Sequence, residues 1–142
     1  MLAVSTYPQD YIDACRSRME AQLAAYKILT SSAHKDEAPA RRSAAESFEP
    51  LFLNNLILVL DAYFVHRTRA KEGKDGNPLN EVRMLCNSIL RHDGVLSADK
   101  TIQYKPETSV LKLRIGDEIA LDETQFQLLF DAFFAEIQLR FT

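Results

Sequence analysis

The chain has 142 residues, of which 46 % are hydrophobic and 26 % charged, and carries a formal net charge of -3. That length suits one domain with a real core, and that balance excludes a disordered chain. A pI near 5.6 excludes a broadly basic nucleic-acid surface and leaves only local basic clusters to consider.

Residues 1–7 read as a short tail. From Pro8 the pattern turns helical. Ile12, Cys15, Met19, Leu23, Tyr26 and Leu29 recur at spacings of three and four, which predicts an amphipathic helix over residues 8–30. Residues 31–45 are small and polar and read as a connection, with an Ala-rich end that could already begin the next helix. A second helix is expected from Phe48 to Ala70, with Ser47 as its N-cap and Pro50 in its first turn. It is apolar nearly all round from Leu51 to Val65 and should be the central element of the core. Asn54, Asn55 and Asp61 interrupt that run, which is shorter than the ~20 apolar residues a membrane span needs. The helix should end in the basic stretch His66, Arg67, Arg69 and Lys71, where cations suit a helix C-terminus.

Residues 72–77 form a loop with two glycines. Asn77-Pro78 then predicts an N-cap followed by proline at the first helical position. The third helix carries Leu79, Val82, Leu85, Cys86, Ile89 and Leu90 and should stop near His92, ahead of Gly94. The period then changes. Thr101–Tyr104 and Val110–Ile115 alternate, and Gly116-Asp117 can reverse the chain, which predicts a small β-hairpin. Asp122 with Gln125 reads as a capping box opening a final helix over residues 123–141. Its phenylalanines (126, 130, 133, 134 and 141) form a stripe broader than one buried face needs, which predicts self-association, most simply as a twofold homodimer. The fold class expected is mostly α: a single domain over residues 1–142, an up-and-down bundle of about four long helices with the hairpin before the C-terminal one.

Cys15 and Cys86 sit in apolar segments and read as reduced, buried thiols of a cytoplasmic protein. No Cys/His spacing suggests a metal site, no motif suggests a cofactor, and the first residues do not read as a secretory leader.

The segment from Asn80 to Leu96, NEVRMLCNSILRHDGVL, resembles the signature helix of the HEPN superfamily (higher eukaryotes and prokaryotes nucleotide-binding). Glu81, Arg83, Leu85, Asn87 and Gly94 match its pattern, and the order of elements also fits. The resemblance implies a helical, dimerising domain. In active members it implies metal-independent RNA cleavage, where an imidazole moves a proton at the attacking or leaving oxygen and a guanidinium stabilises the phosphate. Here Cys86 stands where that arginine would be, and Arg91 where the histidine would be, with His92 one residue later. A looser register keeps His92, but Arg83 lies nine residues before it. The resemblance therefore implies a non-catalytic module that dimerises and binds RNA, a nucleotide or a cognate protein, with Glu81, Asn87, Arg67 and Arg69 as binding candidates. One alternative is a metal-independent endoribonuclease of toxin or defence type using His92 with Arg83 or Arg91. The other is a structural or regulatory subunit without a nucleic-acid role.

Overall fold

Local side-chain chemistry sets two of the helix starts. Asn77 accepts hydrogen bonds from the amides of Leu79 and Asn80, and Pro78 follows at the first helical position, so a helix opens there and runs Pro78–Arg91. Asp122 and Gln125 cap each other's backbone and open a helix over Glu123–Arg140, as the capping-box chemistry requires. The computed structural model describes residues 3–35 and 38–142. In chain order its helices are α1 (Gln9–His34), α2 (Pro39–Tyr63), the single turn α3 (Arg69–Glu72), α4 (Pro78–Arg91) and α5 (Glu123–Arg140). The molecule is a helical bundle in which α2 packs against α1, α4 and α5. None of these helices is long and apolar enough to cross a membrane.

The boundaries of α2 differ from the sequence expectation at both ends. Most of residues 31–45 is helical, and Ser47 and Pro50 lie inside α2. Proline at position 39 is preorganised for a helix start, and the Ala-, Arg- and Glu-rich stretch after it has high helix propensity. Of the expected tail and connection, residues 1, 2, 36 and 37 lie outside the described residues. At its other end α2 stops at Tyr63, not Ala70. Phe64 is wholly buried, among the rings of Tyr7, Tyr11, Phe133 and Phe134. The chain then turns so that Arg67 points inward. The tail is tied down beside this turn. Val4 exchanges backbone hydrogen bonds with His66 and Thr68, and Tyr7 donates to the Phe141 carbonyl.

The expected β-hairpin is not formed. The segment between α4 and α5 makes only isolated bridges, Asp75 with Gln103 and Val95 with Glu118, plus one 3₁₀ turn at Pro106–Thr108. The alternation there marks no strand ladder and no single buried face: Leu111 is buried, but Ile115 is 50 % exposed. Side chains satisfy its amides instead: Val110 and Leu111 donate to Glu81, Lys112 to Ser109, Arg114 to Asp117 and Leu121 to Asn54. Lys112 adopts a left-handed φ of 60°, incompatible with a regular strand. Gly76 allows this segment to lie close to the loop before α4, since a Cβ there would sit 3.2 Å from Tyr104 Cα and push the two apart by a few tenths of an ångström.

The phenylalanine stripe of α5 is also corrected. Phe126, Phe130, Phe133, Phe134 and Phe141 are all buried in the single core. Helix α5 is covered by α2 and α4, while Arg16 of α1 lies over Phe130 and Phe134. A helix enclosed on several sides needs more than one apolar face, so no phenylalanine of this stripe is left over for a partner.

Candidate functional site

The residues that the resemblance singled out lie on α4 (Pro78–Arg91), on the turn after it and on the segment before it that includes α3, and the structure divides them into three places. At the N-terminal end of α4 lies an ionic network centred on Glu72, whose side chain is wholly buried. Glu72 is paired with Arg67, also wholly buried. It accepts from Arg69 at 2.9 Å and from Arg83 through both oxygens, at 2.8 and 3.0 Å. Arg67 is committed further, pairing with Asp61 at 2.8 Å and donating to the carbonyls of Phe64 and Leu79. Arg69 also reaches Asn80 and Thr101. Arg140 of α5 donates to the carbonyls of Lys71 and Glu72, so four arginines converge on one short turn. Burial of a carboxylate is tolerated because cations and donors surround it.

Arg67 and Arg69 were candidates for phosphate binding. Arg67 is sealed from solvent and holds protein groups, and Arg69 is shared between Glu72, Asn80 and Thr101. Arg83 is partly exposed, but one terminal nitrogen is held by Glu72 and its buried Nε has no partner.

The second place is the middle of α4. Glu81 is almost wholly buried and accepts the Val110 amide on one oxygen (2.8 Å) and the Leu111 amide on the other (3.0 Å). It is a clamp on the 109–112 loop and not a free ligand-binding carboxylate. Burial pushes its pKa up from the ordinary 4.5, against the pull of those two amides and of Lys112. Cys86, at the position of the signature arginine, is buried with its thiol directed at the Ile57 carbonyl, 3.6 Å away. Burial raises its pKa strongly, so it is no reactive thiolate. Cys15 is likewise free and buried. Asn87 is half-buried. The fully buried amide of α4 is Asn80, which donates to the carbonyls of Gly73 and Asp75.

The raised pKa of Glu81 has a signed consequence. The folded chain holds this proton to a higher pH than the unfolded chain, so the group favours the fold more as pH falls from neutral toward 4.5. Glu81→Gln should flatten that part of the stability–pH curve in chemical denaturation. At neutral pH the amide retains one acceptor and turns a donor toward the second backbone N–H, which should cost about 1–3 kcal/mol. An unchanged curve with unchanged stability would show that the clamp carries neither effect.

The third place is the C-terminal end of α4. Arg91 and His92 are exposed there. The helix stops as its His92 and Gly94 amides both donate to the Ser88 carbonyl, with Gly94 left-handed at φ 73°. Arg83 and His92 are nine residues apart, about 13 Å along an ideal helix and on opposite sides of it.

Glu72 and Asn80 were missed from the sequence as organising residues. Glu72 sits beside glycines and lysines in what reads as a solvated loop. The only signal was the density of arginine around it, which in an acidic chain requires a buried anion or a large exposed basic patch. Among the described residues no group of three or more His, Cys, Asp or Glu side chains could hold a metal ion. No family model, no curated protein and no solved structure matches this chain.

Proposed function

We propose that this chain is a HEPN-like, non-catalytic helical module that acts by association, with a second copy of itself and with an RNA, a nucleotide or a cognate protein. One observation carries the reading. Arg83, the guanidinium that a nuclease using His92 would need for the phosphate, is held by both oxygens of buried Glu72. The buried Cys86 cannot replace it, and His92 lies at the far end of the helix. Phosphoryl-transfer chemistry by this route needs the imidazole and the guanidinium within reach of one phosphodiester.

A second reading rests on a different observation. Arg91 and His92 are adjacent and both exposed, so one phosphate could meet both, with His92 as the proton-transfer group and Arg91 as the charge.

The test is incubation with end-labelled single-stranded RNA in a chelator, with wild type and His92→Ala in parallel. The expected result is intact RNA with both proteins. Because His92 is exposed, the substitution should change stability by less than about 1 kcal/mol. Cleavage by wild type that vanishes in His92→Ala would replace the module with the enzyme.

A further inference from the structure

The segment between α4 and α5 is fastened by backbone hydrogen bonds at two places. Gln103 donates its amide to the Lys74 carbonyl, Gly116 donates to the Leu96 carbonyl, and Leu96 donates to Asp117. Between these anchors residues 105–115 make an excursion with no strand. Its backbone groups still need partners, and it finds most of them in itself and its base. Thr108 and Ser109 donate to the Lys105 carbonyl. The Lys112 amide donates to the Ser109 hydroxyl, and its ammonium to the Glu107 carbonyl. At the base, Tyr104 donates to Ser109 and Leu113, and Asp117 accepts from Arg114. A surface segment bonded internally in this way is a compact body of its own.

Among the described residues, one hydrogen-bonding group from outside the excursion and its base reaches it. That group is Glu81 of α4, which takes the Val110 amide on one oxygen and the Leu111 amide on the other. The apolar tie is Leu111, which is buried, with Val110 and Leu113 partly buried beside it. The closed position also carries unfavourable terms. Lys112 is left-handed at φ 60°, a strained conformation for a residue with a Cβ. The carboxyl group of Glu81 is almost wholly buried and gives up water. Release of Leu111 lets its neighbour Lys112 relax and lets water reach Glu81. Gly116, at φ 97°, has open space where a Cβ would stand, so the chain can pivot there. A recess of about 320 Å³ lies behind the excursion. Asp75, Gly76 and Pro78 line one side of it, Lys105, Thr108 and Val110 the other, and Glu81 lines it as well.

We propose that residues 105–115 are a flap that lifts from the bundle as one unit, hinged at Gln103 and Gly116, with Glu81 as its latch, and that its position sets the width of the recess behind it. A segment with one apolar anchor and one latch opens more readily than the whole chain unfolds. The flap is independent of what the module binds.

The experiment is amide hydrogen exchange of the full chain, followed residue by residue by NMR. In wild type the Val110 and Leu111 amides should share one degree of protection, at least about 100-fold below that of the Leu129 and Phe130 amides in α5, as expected for a sub-global opening. Glu81→Gln should speed exchange at Val110 and Leu111 by about 10–100-fold, the equivalent of a lost acceptor. Leu111→Ala is the second variant, should the first misfold. It removes no hydrogen bond, yet it should speed both amides alike, by at least about 30-fold. Phe130→Leu, which loosens the packing of α5, should speed the α5 amides and leave Val110 and Leu111 as they are, because lifting the flap does not unpack the bundle. Val110 and Leu111 amides as protected as those of α5 would overturn the proposal. So would an equal effect of Phe130→Leu on both places, indifference to Glu81→Gln, or a Leu111→Ala effect confined to one amide.

Discussion

Glu72→Ala should destabilise the chain by about 3–5 kcal/mol, the range for removing one partner of a buried ion pair. The side chain lost is wholly buried and faces Arg67, Arg69 and Arg83. Without it the equally buried Arg67 keeps Asp61, two carbonyls and the face of Phe133 as partners. Water cannot compensate a cation that solvent does not reach. Glu72→Gln should fare little better, because the amide removes the charge and turns donors toward guanidinium groups that need acceptors. In a chain of this size the loss should lower Tm by roughly 10 °C or more. Thermal denaturation followed by circular dichroism measures it. A drop under about 3 °C would mean that the cations find water or other acceptors, and that the network does not organise the end of α4.

Phe130→Asp should prevent folding at ordinary temperature. Phe130 is 1 % exposed and packs against Phe126 and Phe134, with the Arg16 guanidinium over its ring. Truncating such a ring to alanine costs about 3–5 kcal/mol. A carboxylate there adds a desolvation penalty that the single nearby cation, partly exposed and already paired with Glu20 and Asp131, does not offset. The total reaches much of the stability of a typical domain. Phe130→Leu, which keeps most of the volume, should fold with a lower Tm. A folded, soluble Phe130→Asp protein would place this ring on a surface and revive the phenylalanine stripe as the partner face.

What could be read from the sequence follows from how local each cause is. The starts of α4 and α5 were legible because Asn77-Pro78 and Asp122 with Gln125 act within one helical turn. The stop at Gly94 was legible because a left-handed residue there favours glycine. The apolar period gave the buried face of α1 correctly as far as Tyr26. It failed beyond, because Leu29 and most of the described side chains from Ser31 to Ser47 are exposed. Exposed helices carry no apolar stripe to detect, and only the proline at position 39 and the helix-forming composition marked the start of α2.

The alternation from Val110 to Ile115 misled for a different reason. A period of two reports a side chain's environment and not a ladder, and here Glu81 of α4 takes the place of a neighbouring strand as hydrogen-bond acceptor for Val110 and Leu111. The same limit applied to the site. Spacing along α4 sets Arg83 and His92 two and a half helical turns apart. The commitment of Arg67 and Arg83 to Glu72 depends on a chain turn after Phe64 that no local pattern announces. A basic run at a helix end and a buried ionic network look alike in sequence, and only the docking of Val4 and Phe64 beside them tells which one forms.

The most direct measurement is the metal-free RNA cleavage assay with Arg83→Ala beside wild type and His92→Ala, each protein also melted under the same conditions. The account predicts that none of the three cleaves, and that Arg83→Ala alone melts earlier, because Arg83 supports Glu72. Cleavage by wild type, lost in both variants while Arg83→Ala keeps its melting temperature, would contradict it: Arg83 would then hold a phosphate, and the chain would be a nuclease.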